Sequence, residues 1–473
     1  MPDVPLNMGF GSAPGQTPDE GGPIFTNAYL EFSNDGGKSE TIIRPVEGRK
    51  LFKKISDSGP CRALFEKDGE GYAVIGRNVA KFQEDGSSVV LGGLATDGHV
   101  TFSTNRSNQV TITGGGTSVV VEAGGLTQID DADLPPAIDN AYVDGYTIYT
   151  IADGRFFASA LDNSKDINAL HFTTAEVSPD KNVRGIARGR EFIAFGEESM
   201  QAFANDGGTE FPLSPIGGTA KTVGCGAAAS ALVLNAAQSD TLVWVDNNGI
   251  VKATPAYDGQ RISTHAVERA IENDPDWRTM RASTYTRSGH VFYVLSGSNF
   301  TLVYDFATGK WHNRKTYGAN RWNGSSIMRL RDKFIVGDAV NGSLYELDPD
   351  TYTDAGDHLV MTVQPPVVHQ FPNRLRINSI EIDPLPGRGI NSTDEHNADP
   401  KLMIEVSKDG GNTWHQQRTI ETGRIGERGI RTKERRFGVT KNGDGFIPRF
   451  SVSAAVCRGF IANGSVNVDL LAP

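Results

Sequence analysis

The sequence is short of the groups on which most chemistry depends. Only three cysteines occur in 473 residues, Cys61, Cys225 and Cys457, and they lie far apart. No Cys-x-x-Cys pair and no Cys/His zinc spacing is present, so reduced, buried thiols are expected. The nine histidines are scattered, and no two stand at i, i+4. No Gly-x-Ser-x-Gly nucleophile turn exists. Residues Met1 to Gly22 have neither a basic n-region nor an apolar h-region, which argues against a signal peptide. No apolar run approaches the roughly 18 residues of a membrane span. A protein that folds in a cytosol, without a membrane anchor, is the expectation.

Positive charge is also in deficit. The formal net charge is −11, which argues against gripping nucleic acid by its phosphates. It does not argue against lying close to DNA, since an acidic wall lets a polyanion slide past. What the chain does have is turn material and aromatic bulk. Its 54 Gly and 23 Pro imply many short strands, and its 23 Phe, 12 Tyr and 5 Trp supply a core that the 38% hydrophobic content would not suggest.

From about residue 45 to 350 one theme recurs: short apolar strand, turn, short apolar strand. Seven such meanders can be read. They run from Ala73 to Leu91, Val100 to Val121, Tyr142 to Phe157, Val183 to Phe203, Ala231 to Ala253, Ala282 to Tyr304 and Ile327 to Tyr345. The repeat of about 40–45 residues is that of a propeller blade. No Trp-Asp signature of the WD40 type is present. An irregular stack of meanders in a sandwich is the alternative. A single amphipathic helix is expected over Thr264 to Ile271, with Ser263-Thr264 as its N-terminal cap and a place on the sheet rim.

After about residue 355 the texture changes to strands separated by long loops: Leu359 to Val363, Arg376 to Ile382, Leu402 to Val406, Gln416 to Thr419, Arg435 to Val439 and Phe450 to Val452. The whole is therefore expected to be all-β, a β-propeller of six to seven blades plus a C-terminal β-sandwich. Residues 1–44 would be an N-terminal arm and first strand, 45–352 the propeller and 353–473 the sandwich. The Gly/Pro-rich arm offers few apolar side chains to hold it in place.

Several motifs mislead. Val223 to Ala229 matches Gly-x-Gly-x-x-Ala but lacks the preceding strand and following helix of a nucleotide site. Gly114-Gly115-Gly116-Thr117 lacks the phosphate-binding lysine and reads as a hairpin turn. Asp130, Asp131 and Asp133 lack the glycine and glutamate that complete a calcium loop and read as a solvated turn. No cofactor or metal is expected, and no catalytic residue can be named.

The stretch Ser407-Lys408-Asp409-Gly410-Gly411-Asn412-Thr413-Trp414 carries most information. Ser407, Asp409, Gly411, Thr413 and Trp414 have the form of an Asp-box, a tight hairpin in which Asp and Ser bond their own backbone and the Trp plugs the sheet below. Ser33 to Ser39 and Asn205 to Thr209 come near the pattern without a Trp. Between Arg418 and Arg449 nine basic residues face four acids. Of these, Arg424, Arg428, Arg431, Arg435 and Arg436 could meet an acidic partner surface. They are equally well read as solvated faces of strands.

The Asp-box with its basic tail to Arg436-Phe437-Gly438 resembles the C-terminal part of the packaged-DNA stabilisation proteins of short-tailed phages. Further segments resemble that family in order: Arg155 to Leu161, Ala175 to Asp180, Glu191 to Glu197, Arg261 to Glu268, Gly289 to Tyr293, Tyr304-Asp305 with Gly309 to His312, and Val336 to Asp338. Ile430 stands where the family texture would suggest an aromatic, so no partner contact is carried over there. The resemblance implies a non-enzymatic tail nozzle, or hub, of the virion. Six copies would form a ring below the portal and head-to-tail adaptor, extend the channel for double-stranded DNA without binding it specifically, help retain the packaged DNA, and dock the tail needle and the tailspikes or fibres. The Asp-box admits an alternative, a propeller glycosidase or glycan-binding module of sialidase type, which would need paired carboxylates in a cleft.

Overall fold

Seven four-stranded antiparallel units ring one axis in the computed structural model, which describes residues 3–472 except 7, 10, 13, 15–21, 34–38, 58, 176, 177, 209, 237 and 442–444. Blade 1 is built from Cys61–Lys67, Glu70–Ile75, Asn78–Phe82 and Ser88–Gly93, and blade 2 from Val100–Thr104, Val110–Gly114, Thr117–Glu122 and Gly125–Gln128. Blade 3 runs from Ala137–Val143 through Tyr146–Ile151 and Arg155–Ala160 to Asn163–Thr174. Blade 4 comprises Asn182–Arg188, Glu191–Gly196, Met200–Asn205 and Leu213–Pro215. Blade 5 comprises Leu232–Ala236, Ser239–Val245, Val251–Thr254 and Gln260–Arg261, and blade 6 Arg281–Arg287, His290–Ser296, Thr301–Asp305 and Lys310–Asn313. The seven meanders expected from the alternation of apolar residues correspond one to one with these blades.

Local sequence explains the hairpins. Asp68-Gly69, Asp144-Gly145 and Ser288-Gly289 each place two successive residues at positive φ. That is the type I′ turn, whose twist matches the strands it joins. Adjacent blades then bury facing side chains. Phe156 of blade 3 packs edge-on to Phe192 of blade 4, with ring centroids 5.2 Å apart, and Phe195 of blade 4 lies 5.4 Å from Trp244 of blade 5.

Blade 7 closes the ring with strands from two distant parts of the chain. Gly324–Leu330, Lys333–Asp338 and Gly342–Asp348 form three strands, and Gly48–Ser56 pairs antiparallel with Gly342–Asp348 as the fourth. This ties the end of the ring to its beginning, and the radial blades keep only short outer edges. The helix is present as His265–Glu272, with Thr264 Oγ1 accepting from Val267 N. Its Val267 and Ile271 are buried among residues of blades 5 and 6.

The sandwich draws on both ends of the chain. One sheet has the order Ala28–Phe32, Thr41–Pro45, Phe460–Leu471, Arg374–Pro384, Lys433–Val439, and Asp3–Pro5 also pairs with Phe460–Leu471. The other runs Ile24–Thr26, Met361–Gln364, Ile447–Val452, Lys401–Ser407, Arg418–Glu421. Their shared core includes Phe25, Leu30, Ile43, Ile380, Ile404, Phe450 and Phe460. Thr26 also pairs with Asn313 of blade 6, so one sheet is continuous from propeller to sandwich. The N-terminal residues are held more firmly than their few apolar side chains suggest. Leu6 and Met8 are 3% and 0% exposed, because two apolar side chains suffice when a ready-made sheet face receives them. Residues 15–21 of the expected arm lie outside the described residues.

Candidate functional site

The Asp-box hairpin is held by its own polar side chains. Ser407 Oγ donates to Asp409 Oδ1 at 2.8 Å and accepts from Gly411 N at 2.8 Å. Thr413 N donates to Asp409 Oδ1 at 2.9 Å, and Thr413 Oγ1 donates to Asp409 Oδ2. These bonds, those from Thr413 first, push the Asp409 carboxyl down to about 2. Gly410 and Gly411 supply the positive φ that the turn requires. Trp414 departs from the expected plug. It is half-buried on the outer side of the sandwich, where Arg449 stacks over its ring at 3.8 Å and pairs with Glu405 at 2.8 Å. The strand's inward positions are already filled by Leu402, Ile404 and Val406.

The five arginines of the proposed basic surface fall on two stations. Arg424, Arg428 and Arg431 lie on the loop between Arg418–Glu421 and Lys433–Val439, whereas Arg435 and Arg436 lie on the latter strand, at the edge of its sheet. Arg431 pairs with Glu381 at 2.8 Å and Arg424 reaches Asp399 at 3.8 Å. Arg428, Arg435 and Arg436 are exposed. Charged residues on an edge strand also discourage unwanted strand pairing. Arg418 joins the two sheets across that edge. It pairs with Glu434 at 3.0 Å, donates to the carbonyls of Arg435 and Arg436, and lies 4.7 Å over the Phe437 ring.

The other turns behave as turns. Asp131 Oδ1 accepts from Asp133 N at 2.9 Å and its Oδ2 from Ile167 N at 2.9 Å. Among the described residues no cluster of His, Cys, Asp and Glu could hold a metal. In the Gly-x-Gly-x-x-Ala stretch, Ala228–Ser230 forms only a single 3-10 turn. Of the near-Asp-boxes, Asn205 to Gly208 is a bend bonded by Asn205 and Asp206 side chains. Residues 34–38 of the other, and Thr209, lie outside the described residues. Cys61 and Cys225 are buried and free, and burial pushes both thiols up to about 12. Cys457 is free and half-buried.

Two features have no signature in the sequence. The first is a buried ionic junction where the ring closes. Arg49, at the start of the closing strand, donates to Asp338 of blade 7 at 3.0 Å and to Asp354 of the segment leading to the sandwich. Beside it Arg314 donates to Glu47 O at 2.9 Å and to Tyr285 Oη at 3.1 Å, and lies 3.9 Å from the Trp322 ring. The second is a cavity of about 620 Å³ on the propeller axis, walled by all seven inner strands. Arg62, His99, Arg184 and Arg281 stand among its lining residues, and among the described residues no Asp or Glu does.

With the geometry in view, comparison with known proteins is specific. A family model described as bacteriophage P22 Gp10, beta-propeller, matches residues 26–352, and one described as bacteriophage P22 Gp10, beta-sandwich, matches residues 361–467. No curated protein matches the chain. Solved structures are only remotely alike. The computationally designed Ika8 protein has 13% identity over 72% of this chain and 99% of its own, at a TM-score of 0.39. The extracellular domain of the one-component system BT4673 of B. thetaiotaomicron has 8% identity over 80% and 48%, at 0.44. The N-terminal domain of Nup159 has 11% identity over 68% and 98%, at 0.41. The two family matches follow one another along the chain and cover most of it, and together they show that it belongs to the phage stabilisation family of P22 Gp10, a family of phage tail structural proteins.

Proposed function

We propose that the chain is the tail nozzle, or hub, of a short-tailed phage and that it works without catalysis. Copies assemble as a ring, six by analogy with the expected symmetry, below the portal and adaptor. The ring extends the DNA channel, retains the packaged genome, and gives the needle and the spikes or fibres a place to dock. The observation that carries this reading is the collinear match of both domains to one tail-protein family. The physics agrees with it. A propeller closed by strands from distant parts of the chain is a stiff block. A sheet shared with the sandwich fixes the second domain relative to it. A net charge of −11 suits a wall that DNA must not adhere to. The exposed Arg428, Arg435 and Arg436 are candidates for contact with an acidic neighbour.

The glycosidase alternative fares worse. Glycoside hydrolysis uses two carboxyl groups about 5–10 Å apart in a cleft, and among the described residues the axial cavity is lined by arginines without a carboxylate. Mixing the purified chain with its adaptor and imaging the product tests the proposal. Sixfold rings support it, and a chain that stays monomeric beside assembled adaptor contradicts it.

A further inference from the structure

The axial cavity holds an excess of positive charge that the fold itself leaves unanswered. Arg62, in the inner strand of blade 1, is 7% exposed. Its Nε donates to Gly98 O at 3.0 Å and its Nη1 to Gly76 O at 3.0 Å and Thr96 O at 2.8 Å. Arg281, at the start of the inner strand of blade 6, donates to Arg62 O at 2.8 Å and to the same Gly98 carbonyl at 3.3 Å. Arg184, from the inner strand of blade 4, donates to His99 Nε2 at 2.6 Å and to Asp139 at 2.9 Å. Three guanidinium groups from three blades therefore converge on residues 98–99. Only one of them has a carboxylate partner among the described residues, and that carboxylate is not exposed to the cavity.

Two donor atoms in this group, Arg62 Nη2 and Arg184 Nε, are buried beneath the cavity surface without an acceptor among the described residues, so the charge there is poorly compensated. Buried donors on charged groups are normally satisfied. His99 registers the same field. Burial, and then Arg184, Arg281 and Arg62, hold its ring well below the usual histidine range, which fits its role as acceptor from Arg184. Burial and then Arg281 hold Arg62 below the usual arginine range, and burial with Arg321 does the same to Arg281. The planar forks of arginine match the oxygens of phosphate and carboxylate groups.

We infer that the propeller axis is a binding site for a small oxyanion, a phosphate or a carboxylate, gripped by Arg62, Arg184 and Arg281. The anion would sit among the guanidinium groups that line the cavity and offset their net positive charge. The cavity is large enough for such a group with its waters. The site stands on its own geometry and does not depend on the assembly role.

The test is calorimetric titration of the full chain with inorganic phosphate and, separately, with sodium acetate, at fixed ionic strength with chloride as reference. Saturable binding of either anion near one equivalent is expected. Arg281→Met should weaken it at least tenfold and Arg281→Lys, which keeps the charge, by much less. Arg190→Met, which removes an exposed ion pair with Asp144 elsewhere on the ring, should leave it unchanged. Because Arg281 is only partly buried, its variants are expected to fold, and unchanged circular dichroism would check this. Absence of binding of both anions by the unaltered chain overturns the inference, as does binding that Arg281→Met leaves intact.

Discussion

Arg49 and Asp354 form an ion pair sealed from solvent, each 1% exposed, at the point where the propeller's closing strand meets the segment leading to the sandwich. The same guanidinium holds Asp338 of blade 7 and lies 4.9 Å over the Tyr345 ring. One side chain thus ties the ring's last blade, its closing strand and the start of the second domain. A buried pair is weak evidence of net stability, but removing one partner leaves an uncompensated charge.

Arg49→Met is accordingly expected to cost about 3–5 kcal/mol, the range for breaking a buried pair. Urea unfolding would show it as a lower midpoint. A second prediction follows for the pair of substitutions. Asp354→Asn combined with Arg49→Met should be less destabilising than the sum of the two, since each leaves the other's partner stranded.

Gly48, which opens the closing strand, has no room for a side chain. An added Cβ would lie 2.3 Å from Thr351 O and 2.4 Å from Thr353 O, both backbone atoms. Gly48→Ala must push two strands apart and should cost about 1–3 kcal/mol. Thermal unfolding checks this, and an unaltered melting temperature would show that the closure is looser than described.

The Asp409 carboxyl is depressed to about 2 by its bonds from Thr413 and Ser407. A carboxyl whose folded value lies below its ordinary 3.8 contributes stability above that ordinary value and loses it as pH falls towards the folded value. The hairpin's contribution should therefore be whole above about pH 4 and fade towards pH 2. Carboxyl NMR of aspartate-labelled protein should place the Asp409 midpoint near 2, and Thr413→Val should return it towards the ordinary value. A midpoint near 4 in the unaltered chain would contradict the bonding.

Arg418 covers carbonyls of the edge strand Lys433–Val439. Arg418→Ala should lower stability by only about 1 kcal/mol, the scale of a partly exposed hydrogen-bonded group. Its larger effect should be on self-association, because it uncovers a strand edge. Light scattering during refolding would register the change.

Much of the fold could be read from local pattern. Alternation such as Ala73-Val74-Ile75 and turns such as Asp68-Gly69 signal blades within a few tens of residues, and Thr264 announces its helix. Long-range pairing leaves no such trace. Gly48–Ser56 reads as a polar, lysine-rich stretch, and only its distant partner Gly342–Asp348 shows it to be a propeller strand. Phe460–Leu471, threaded with Asn463, Gly464 and Asn467, lacks clean alternation, yet it is the central strand of its sheet. The Asp-box was legible because its bonds are local. Trp414 was misplaced because sequence gives the residue but not the face, and Arg449 stands 35 positions away. The three axial arginines belong to blades far apart in the chain and could be brought together only by the ring.

We propose that this phage tail structural protein stands in several copies around a DNA path. Cryo-electron microscopy of the intact virion, viewed along the tail axis, tests it most directly. The expected result is a sixfold ring below the adaptor in which each subunit is a seven-bladed propeller joined to a sandwich, with acidic side chains towards the bore. A virion whose tail contains no copy of the chain, or holds it as a single unpaired subunit away from the channel, would contradict the claim.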